Sequence, residues 1–236
     1  SSFKPRISRF VIGGDAGTFN LSGLYKEPLP IQSFYMKGQM DMATLEGEID
    51  PIKIDLKGPV IEASIKSVAQ GNNAPTAMHI QATLTQTPMD DLHNYWPESL
   101  TPDPREWVTK HLSKGIATKA TLDAKLLIDP MSPKNIQVDD VGGTIDFEGI
   151  KVDYYPPLMP ALNAKGRATY DKKSFNLDIA SGQLGDMSVT KSVIHLTDLD
   201  TQSDTVHAKA DISVSLSGPL KTALQVLDSE PLKYPA

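Results

Sequence analysis

Along most of this chain apolar and polar residues alternate one for one, the period-two pattern of a strand with one buried face. From Ile116 the apolar set runs Ala120, Leu122, Ala124, Leu126, Ile128, with Lys119, Thr121, Asp123 and Lys125 between. From Val206 it runs Ala208, Ala210, Ile212, Val214, Leu216, against His207, Lys209, Asp211 and Ser213. The same alternation marks Phe34 to Met42, Met78 to Leu84, Leu162 to Tyr170 and Phe175 to Ile179. Shorter runs stand at Ile52 to Leu56 and Ile145 to Phe147. About ten to twelve strands are expected, several of them beyond the common length. Clean alternation favours antiparallel pairing, because parallel strands covered on both faces read as unbroken apolar runs. Between Phe147 and Ile150 the apolar phase slips at Gly149, which predicts a β-bulge. Residues 60–70 fit both strand and helix spacing, and strand is preferred.

Helical signals are few. Thr87-Pro88-Met89-Asp90-Asp91 supplies an N-cap, a proline and early acids before Leu92, Tyr95 and Trp96, and Pro97 stops the run. Asp103-Pro104-Arg105-Glu106 reads as a capping box before Trp107, Val108, His111 and Leu112, with Gly115 past the end. Together they predict a helical hairpin near 88–113. A short helix near 219–228 should follow Gly218-Pro219. So little helix cannot cover so many long strands. The apolar faces must meet a second sheet, close into a barrel, or be filled by something outside the chain. A sandwich or barrel is the ordinary solution. An open, curved sheet filled by a ligand with long hydrocarbon parts is the sharper one, and alternation does not separate them.

Four short matches recur in order along the chain. Gly17-Thr18-Phe19-Asn20 parallels Gly143-Thr144-Ile145-Asp146, and Pro28-Leu29 parallels Pro157-Leu158. Lys37-Gly38-Gln39-Met40 parallels Lys165-Gly166-Arg167-Ala168, and Leu56-Lys57-Gly58-Pro59 parallels Leu216-Ser217-Gly218-Pro219. Two degenerate repeats, near 17–60 and 143–220, are expected within a single elongated segment over 1–236.

Composition narrows the function. The 236 residues fit one all-β unit. With 39% hydrophobic and 22% charged residues, global disorder is excluded. No apolar run approaches the roughly 20 residues of a spanning helix. A net charge of −6 argues against nucleic acid as a partner. The absence of cysteine excludes disulfides, thiolate zinc sites and thiol nucleophiles.

Candidates for chemistry are thin. Asp90-Asp91 could be paired carboxylates, but acids in a first helical turn serve the helix dipole. Asp139-Asp140 reads as a turn or the start of a strand. His79, His195 and His207 fall on strands with no metal-ligand spacing. Gly13-Gly14-Asp15-Ala16-Gly17 resembles a phosphate loop only in its glycine count, and a hairpin turn is expected there. Trp96 and Trp107 could form a binding platform, though such residues more often pack a hairpin onto a sheet. No catalytic residue, metal or cofactor is expected, so the chain reads as a non-enzyme. A hydrolase of envelope material using His195 or Asp91 is the rival in that class.

At the hairpin and the strands after it the sequence resembles a known family. Leu92-His93-Asn94-Tyr95-Trp96-Pro97-Glu98-Ser99-Leu100, Pro104-Arg105-Glu106-Trp107-Val108 and Gly115-Ile116-Ala117 are similar to the central region of AsmA-like proteins of the YhdP type. Val152-Asp153-Tyr154-Tyr155-Pro156-Pro157-Leu158-Met159-Pro160 with Lys165-Gly166-Arg167-Ala168 resembles a second signature. Leu216-Ser217-Gly218-Pro219-Leu220 with Leu227-Asp228 and Pro231-Leu232-Lys233-Tyr234 resembles a third. The resemblance covers about residues 78–236.

It implies a mostly all-β fold: long antiparallel strands in a curved open sheet, a taco-like β-groove. It implies a periplasmic protein of Gram-negative bacteria, held to the inner membrane by an anchor missing from this chain, which is expected to be an excised segment. The implied partner is phospholipid, moved between the inner and outer membranes with its acyl chains against the groove. The candidate groove positions are Ile116, Leu122, Leu126, Ile128 and Leu162, then Leu177, Ile179, Val206, Ile212 and Val214. The alternative is a non-enzymatic structural or assembly factor of the outer membrane with a closed β-sandwich core.

Overall fold

The computed structural model describes residues 7–19, 28–41, 44–70, 75–96, 102–129, 136–153, 159–197 and 209–219. Five strands come first: β1 (Ile7–Phe19), β2 (Leu29–Asp41), β3 (Gly47–Asp55), β4 (Val60–Ala69) and β5 (Thr76–Pro88). A 3-10 turn at Met89–Asp91 leads into α1 (Leu92–Tyr95) and α2 (Pro102–His111). Then follow β6 (Leu112–Ser113), β7 (Ile116–Ile128), β8 (Ile136–Val152), β9 (Ala161–Asp171), β10 (Phe175–Leu184), β11 (Met187–Thr197) and β12 (Lys209–Ser217). The ambiguous stretch at 60–70 is therefore strand. All but the first residue of the helix expected near 219–228 lies outside the described residues, as does Val206.

The strands form one open, unclosed sheet in the order β1-β2-β3-β4-β5-β7-β8-β9-β10-β11-β12, with β6 paired to β8. Neighbours in chain order pair antiparallel, as in β1–β2 through β4–β5 and β9–β10 through β11–β12. A closed sandwich is thereby corrected: the strands lie in one sheet rather than two packed ones. The helical hairpin stands where it was expected. α2 starts at Pro102 rather than after Asp103, so Asp103 lies inside its first turn.

The chain divides into two compact units, one of residues 1–86 with 120–143 and one of 87–119 with 144–236. In the first, the register stacks apolar residues across the strands. Phe10, Gly38, Ile49, Ile65 and Ile80 form one row. Ile12, Met36, Ile52, Ala63 and Ala82 form the next, and Gly14, Phe34, Ile54, Ile61 and Leu84 a third. The glycine-rich stretch 13–17 lies inside β1 and is not a hairpin turn. A Cβ on Gly14 would stand 2.7 Å from the Phe34 ring across the pair, so the missing side chain makes room for that ring.

The opposite face is mostly polar, though Ile7, Val11, Tyr35 and Val68 stand exposed on it. Lys53 Nζ donates to Glu62 Oε1 at 2.7 Å between β3 and β4. The His79 ring (2.8 Å) and the Gln81 amide (2.9 Å), both on β5, meet the Asp123 carboxylate of β7. Lys125 pairs with Asp140 at 3.3 Å. Since odd positions of β5 and β7 share the polar face, Leu122, Ala124, Leu126 and Ile128 share the apolar one with Met78, Ile80 and Ala82.

In the second unit the same two-faced plan holds. Arg167 pairs with Asp146 and Lys165 with Glu148 on the polar side. On the other side Ala168, Leu177 and Ile194 stand in register, as do Tyr170, Phe175 and Leu196. Gly149 adopts φ +72°, and Ile150 and Val152 are buried beyond it, so the bulge predicted from the phase slip is present.

Candidate functional site

Burial separates the two apolar faces. In the second unit the face is filled: Leu177, Ile150 and Val152 are fully buried, and Phe147 and Phe175 nearly so. α1 and α2 sit on part of it. Trp107 meets Phe175 with ring centroids 5.2 Å apart, and Trp96 meets Tyr170 at 5.6 Å. Leu92 and Val108 are buried on the hairpin. Burial pushes the Tyr170 phenol up to about 12.

In the first unit the three rows are uncovered by comparison. Phe34, Met36, Ile49, Ile52, Ile54, Ile61, Ile65, Ile80 and Leu84 are all only half-buried, and Ile12 is 46% exposed. Side chains this apolar, aligned five strands wide, retain contact with water. These rows are the candidate binding face of the chain. Apart from Ile12 and Ile49, these residues were read from the sequence as strand positions but not as a site. What could have singled them out is that, apart from the ambiguous stretch at 60–70, the helical signals in the sequence all lie beyond residue 86.

The predicted groove positions distribute between the units. In the first, Leu122 is half-buried, while Leu126 and Ile128 are buried along β7. In the second, Leu177 and Ile179 are buried on β10, and Val214 faces Ser192 from β12 with 47% exposure. Ile212 lies opposite Ile194 in the backbone register, and Ile116 is half-buried at the start of β7. Leu162 is out of phase. Asn163 takes φ +51°, so Ala161 and Ala164 are the buried residues there, and Leu162 points to the polar side opposite Gln183 with 40% exposure. The strand alternation that grouped Leu162 with Ala164 is broken by that bulge.

Of the polar residues considered for chemistry, Asp90, Asp140 and His195 make local contacts, and His207 lies outside the described residues. Asp90 Oδ1 accepts the Lys114 backbone N–H at 2.9 Å. Asp139 and Asp140 lie well inside β8. His195 Nδ1 lies 2.5 Å from Asn176 Oδ1 across β10–β11. Among the described residues no group of three or more His, Asp or Glu side chains gathers in a metal-binding arrangement. Nor is any described helix long and apolar enough to cross a membrane. A cavity of about 560 Å³ lies on the polar side of β1–β3, lined by Arg9, Lys37, Glu48 and Asp50 among others, with its charges of both signs balanced.

The family model for the YhdP protein matches residues 4–235. The chain belongs to the YhdP family. The match extends the resemblance seen from residue 78 onward to nearly the whole chain, so the uncovered rows of the first unit are part of the family's own domain. Membership makes this YhdP-family chain an envelope protein of the AsmA/YhdP-like type. No curated protein and no solved structure matches it.

Proposed function

We propose that the uncovered apolar face of this YhdP-family chain binds phospholipid acyl chains, as one segment of a periplasmic protein that moves phospholipid between the inner and outer membranes. The observation that carries the reading is the set of three half-buried rows over β1–β5. Hydrocarbon is their natural complement: burying each methylene is worth about 0.8 kcal/mol, and the contact asks for no directional partner. Acyl chains lie on the rows and headgroups stay in water at the margin of the face. A lipid can then advance from one strand to the next without its tail crossing water, and the protein needs no catalytic group. In the full-length protein an anchor in the inner membrane would supply the starting membrane.

A structural or assembly role is favoured by one feature, the filled face of the second unit, which resembles a core more than a binding surface. Lipid extraction and mass spectrometry of the purified chain decide between the two. Ile65→Asp and Ile80→Asp place a charge on a half-buried face and should leave the circular dichroism spectrum unchanged. Each should lower bound phospholipid by about tenfold or more, since a charge facing hydrocarbon costs at least the 1.4 kcal/mol that this factor represents. Purified protein with no phospholipid, or variants that carry as much as the parent, would sink the transfer reading.

A further inference from the structure

Among the described residues β1 is one edge of the sheet, with β2 on one side and no strand on the other. An open edge presents a row of unpaired N–H and C=O groups, which proteins blunt with a short strand, lysine, proline or a bulge. β1 carries none of these devices. It is 13 residues long, has no lysine or proline, and runs against β2 without a register shift. Ile7 is 62% exposed, Val11 63% and Ile12 46%. Gly13, Gly14 and Gly17 all fall in its second half, where they weaken the strand and admit the close approach of another chain. Its two charges face neutral residues on β2: Arg9 stands opposite Gln39, and Asp15 opposite Ser33.

A strand can pair antiparallel with a copy of itself about a two-fold axis, and residues directly opposite then share a face. Arg9 meets Asp15 in one such register, the one with Ile12 on the axis. The same register sets Ile7 opposite Gly17, Ser8 opposite Ala16, Phe10 opposite Gly14 and Val11 opposite Gly13. Both charge pairs form, and every glycine of the strand receives a large apolar side chain from the other copy. The Phe34 ring already takes the space over Gly14 from the β2 side, and Phe10 reaches it from the open side. A slip of two residues either way, the least that keeps the faces matched, sets Asp15 against Ile7 or against Val11.

We propose that β1 is a self-complementary edge at which two copies of this chain join antiparallel, centred on Ile12. The inference rests on register, charge and side-chain size, and is independent of the acyl-chain reading. In the joined pair the row of Ile12, Met36, Ile52, Ala63 and Ala82 runs on into the same row of the second copy, so the uncovered face continues from one chain to the other.

Sedimentation velocity of the whole chain at low ionic strength should show a concentration-dependent dimer. Arg9→Asp or Asp15→Arg sets like charges against each other at both pairs. Each should weaken the dimer by about fivefold or more while leaving the circular dichroism spectrum unchanged. An equimolar mixture of the two variants should recover it, because the mixed pair restores opposite charges at both places. Thiols read the register, since the chain has no cysteine. Ile12→Cys meets its own copy with Cα atoms about 4.5–5.5 Å apart, inside the range of a disulfide. Val11→Cys stands opposite Gly13, and its own copy is a diagonal neighbour roughly 7–8 Å away, outside that range. Under mild oxidation Ile12→Cys should cross-link about tenfold faster than Val11→Cys, although Val11 is the more exposed. A chain that stays monomeric up to its highest soluble concentration overturns the proposal. So does a dimer indifferent to both charge reversals, an assembly that grows past two copies, or Val11→Cys cross-linking as fast as Ile12→Cys. None of these outcomes bears on the Ile65→Asp measurement, so failure of the edge and failure of the lipid reading are distinguishable.

Discussion

Asp146 shows how the polar face of the sheet is held. Its carboxylate accepts from Arg167 Nε at 2.5 Å and from Nη2 at 3.0 Å, a bidentate contact between β8 and β9. The Arg167 hydrogen bonds, helped by the charges of Arg167 and Lys119, hold the Asp146 carboxyl below its ordinary value. A depressed carboxylate stabilises the fold above the unfolded-state value of about 3.9, and that contribution is lost as pH falls below it towards the folded value. Asp146→Asn should therefore lower stability at pH 7 and flatten the loss of stability below pH 4, measured by urea midpoints across pH. With the Arg167 side chain largely exposed, the effect at pH 7 should stay within about 1 kcal/mol. Such a pair was not legible in the sequence, because it depends on register between β8 and β9. The Gly149 bulge was legible, because a phase slip and a glycine coincide in adjacent residues. Gly14 was misread as turn chemistry, since only the Phe34 ring across the strand pair explains why that residue lacks a side chain.

At the scale of the element, alternation predicts a strand well and its face less well. The strand at 161–171 was expected and is present as β9, yet Leu162 sits on the wrong side of it. Asparagine tolerates the left-handed conformation at position 163, and nothing in its neighbours announces that it adopts one. The phase difference has a measurable consequence. Leu162→Asp should shift stability by less than about 0.5 kcal/mol and leave lipid binding intact, because the new charge meets solvent. Leu177→Asp, at a fully buried position, should cost about 4 kcal/mol or more and unfold the second unit. Chemical denaturation of both variants checks the contrast. Equal losses would mean that Leu162 belongs to the interior after all. The hairpin was legible for the opposite reason: its prolines, early acids and terminal glycine are local signals that tertiary packing had no need to override.

Across the whole molecule, one sequence pattern serves two states of burial. The rows on β1–β5 and the rows on β8–β11 alternate alike, but only the latter are filled. Alternation records which side of a strand is apolar and carries no information about what covers it, which is why the candidate positions chosen from sequence gathered mostly in the covered unit. Two of the four matched segments do share a backbone device. Gly58, in the turn after β3, and Gly218, just past β12, both take large positive φ, +151° and +159°. Gly38 and Gly166 both abut a neighbouring strand so closely that a Cβ would lie 2.6 Å from the Glu48 carbonyl oxygen and 2.0 Å from that of Asp178. Local stability should follow burial. Amides of β9–β11 should exchange with solvent more slowly than those of β2–β4 in lipid-free protein. Added phospholipid should slow β2–β4 selectively, because a ligand stabilises what it binds. Uniform protection across both units, read by hydrogen-exchange mass spectrometry, would count against an uncovered face.

The half-buried rows also carry thioethers. Met36, Met40 and Met78 lie on the uncovered face and remain accessible, while Met89 and Met187 are buried. In an oxidising environment the first three are the ones open to sulfoxide formation, which turns a soft apolar side chain into a polar one. Peroxide should modify Met36, Met40 and Met78 before Met89 and Met187, as resolved by peptide mass spectrometry, and bound lipid should shield them. The same chemistry that makes the surface hospitable to hydrocarbon makes it vulnerable to redox damage. A protein oxidised there would keep its fold and lose its affinity.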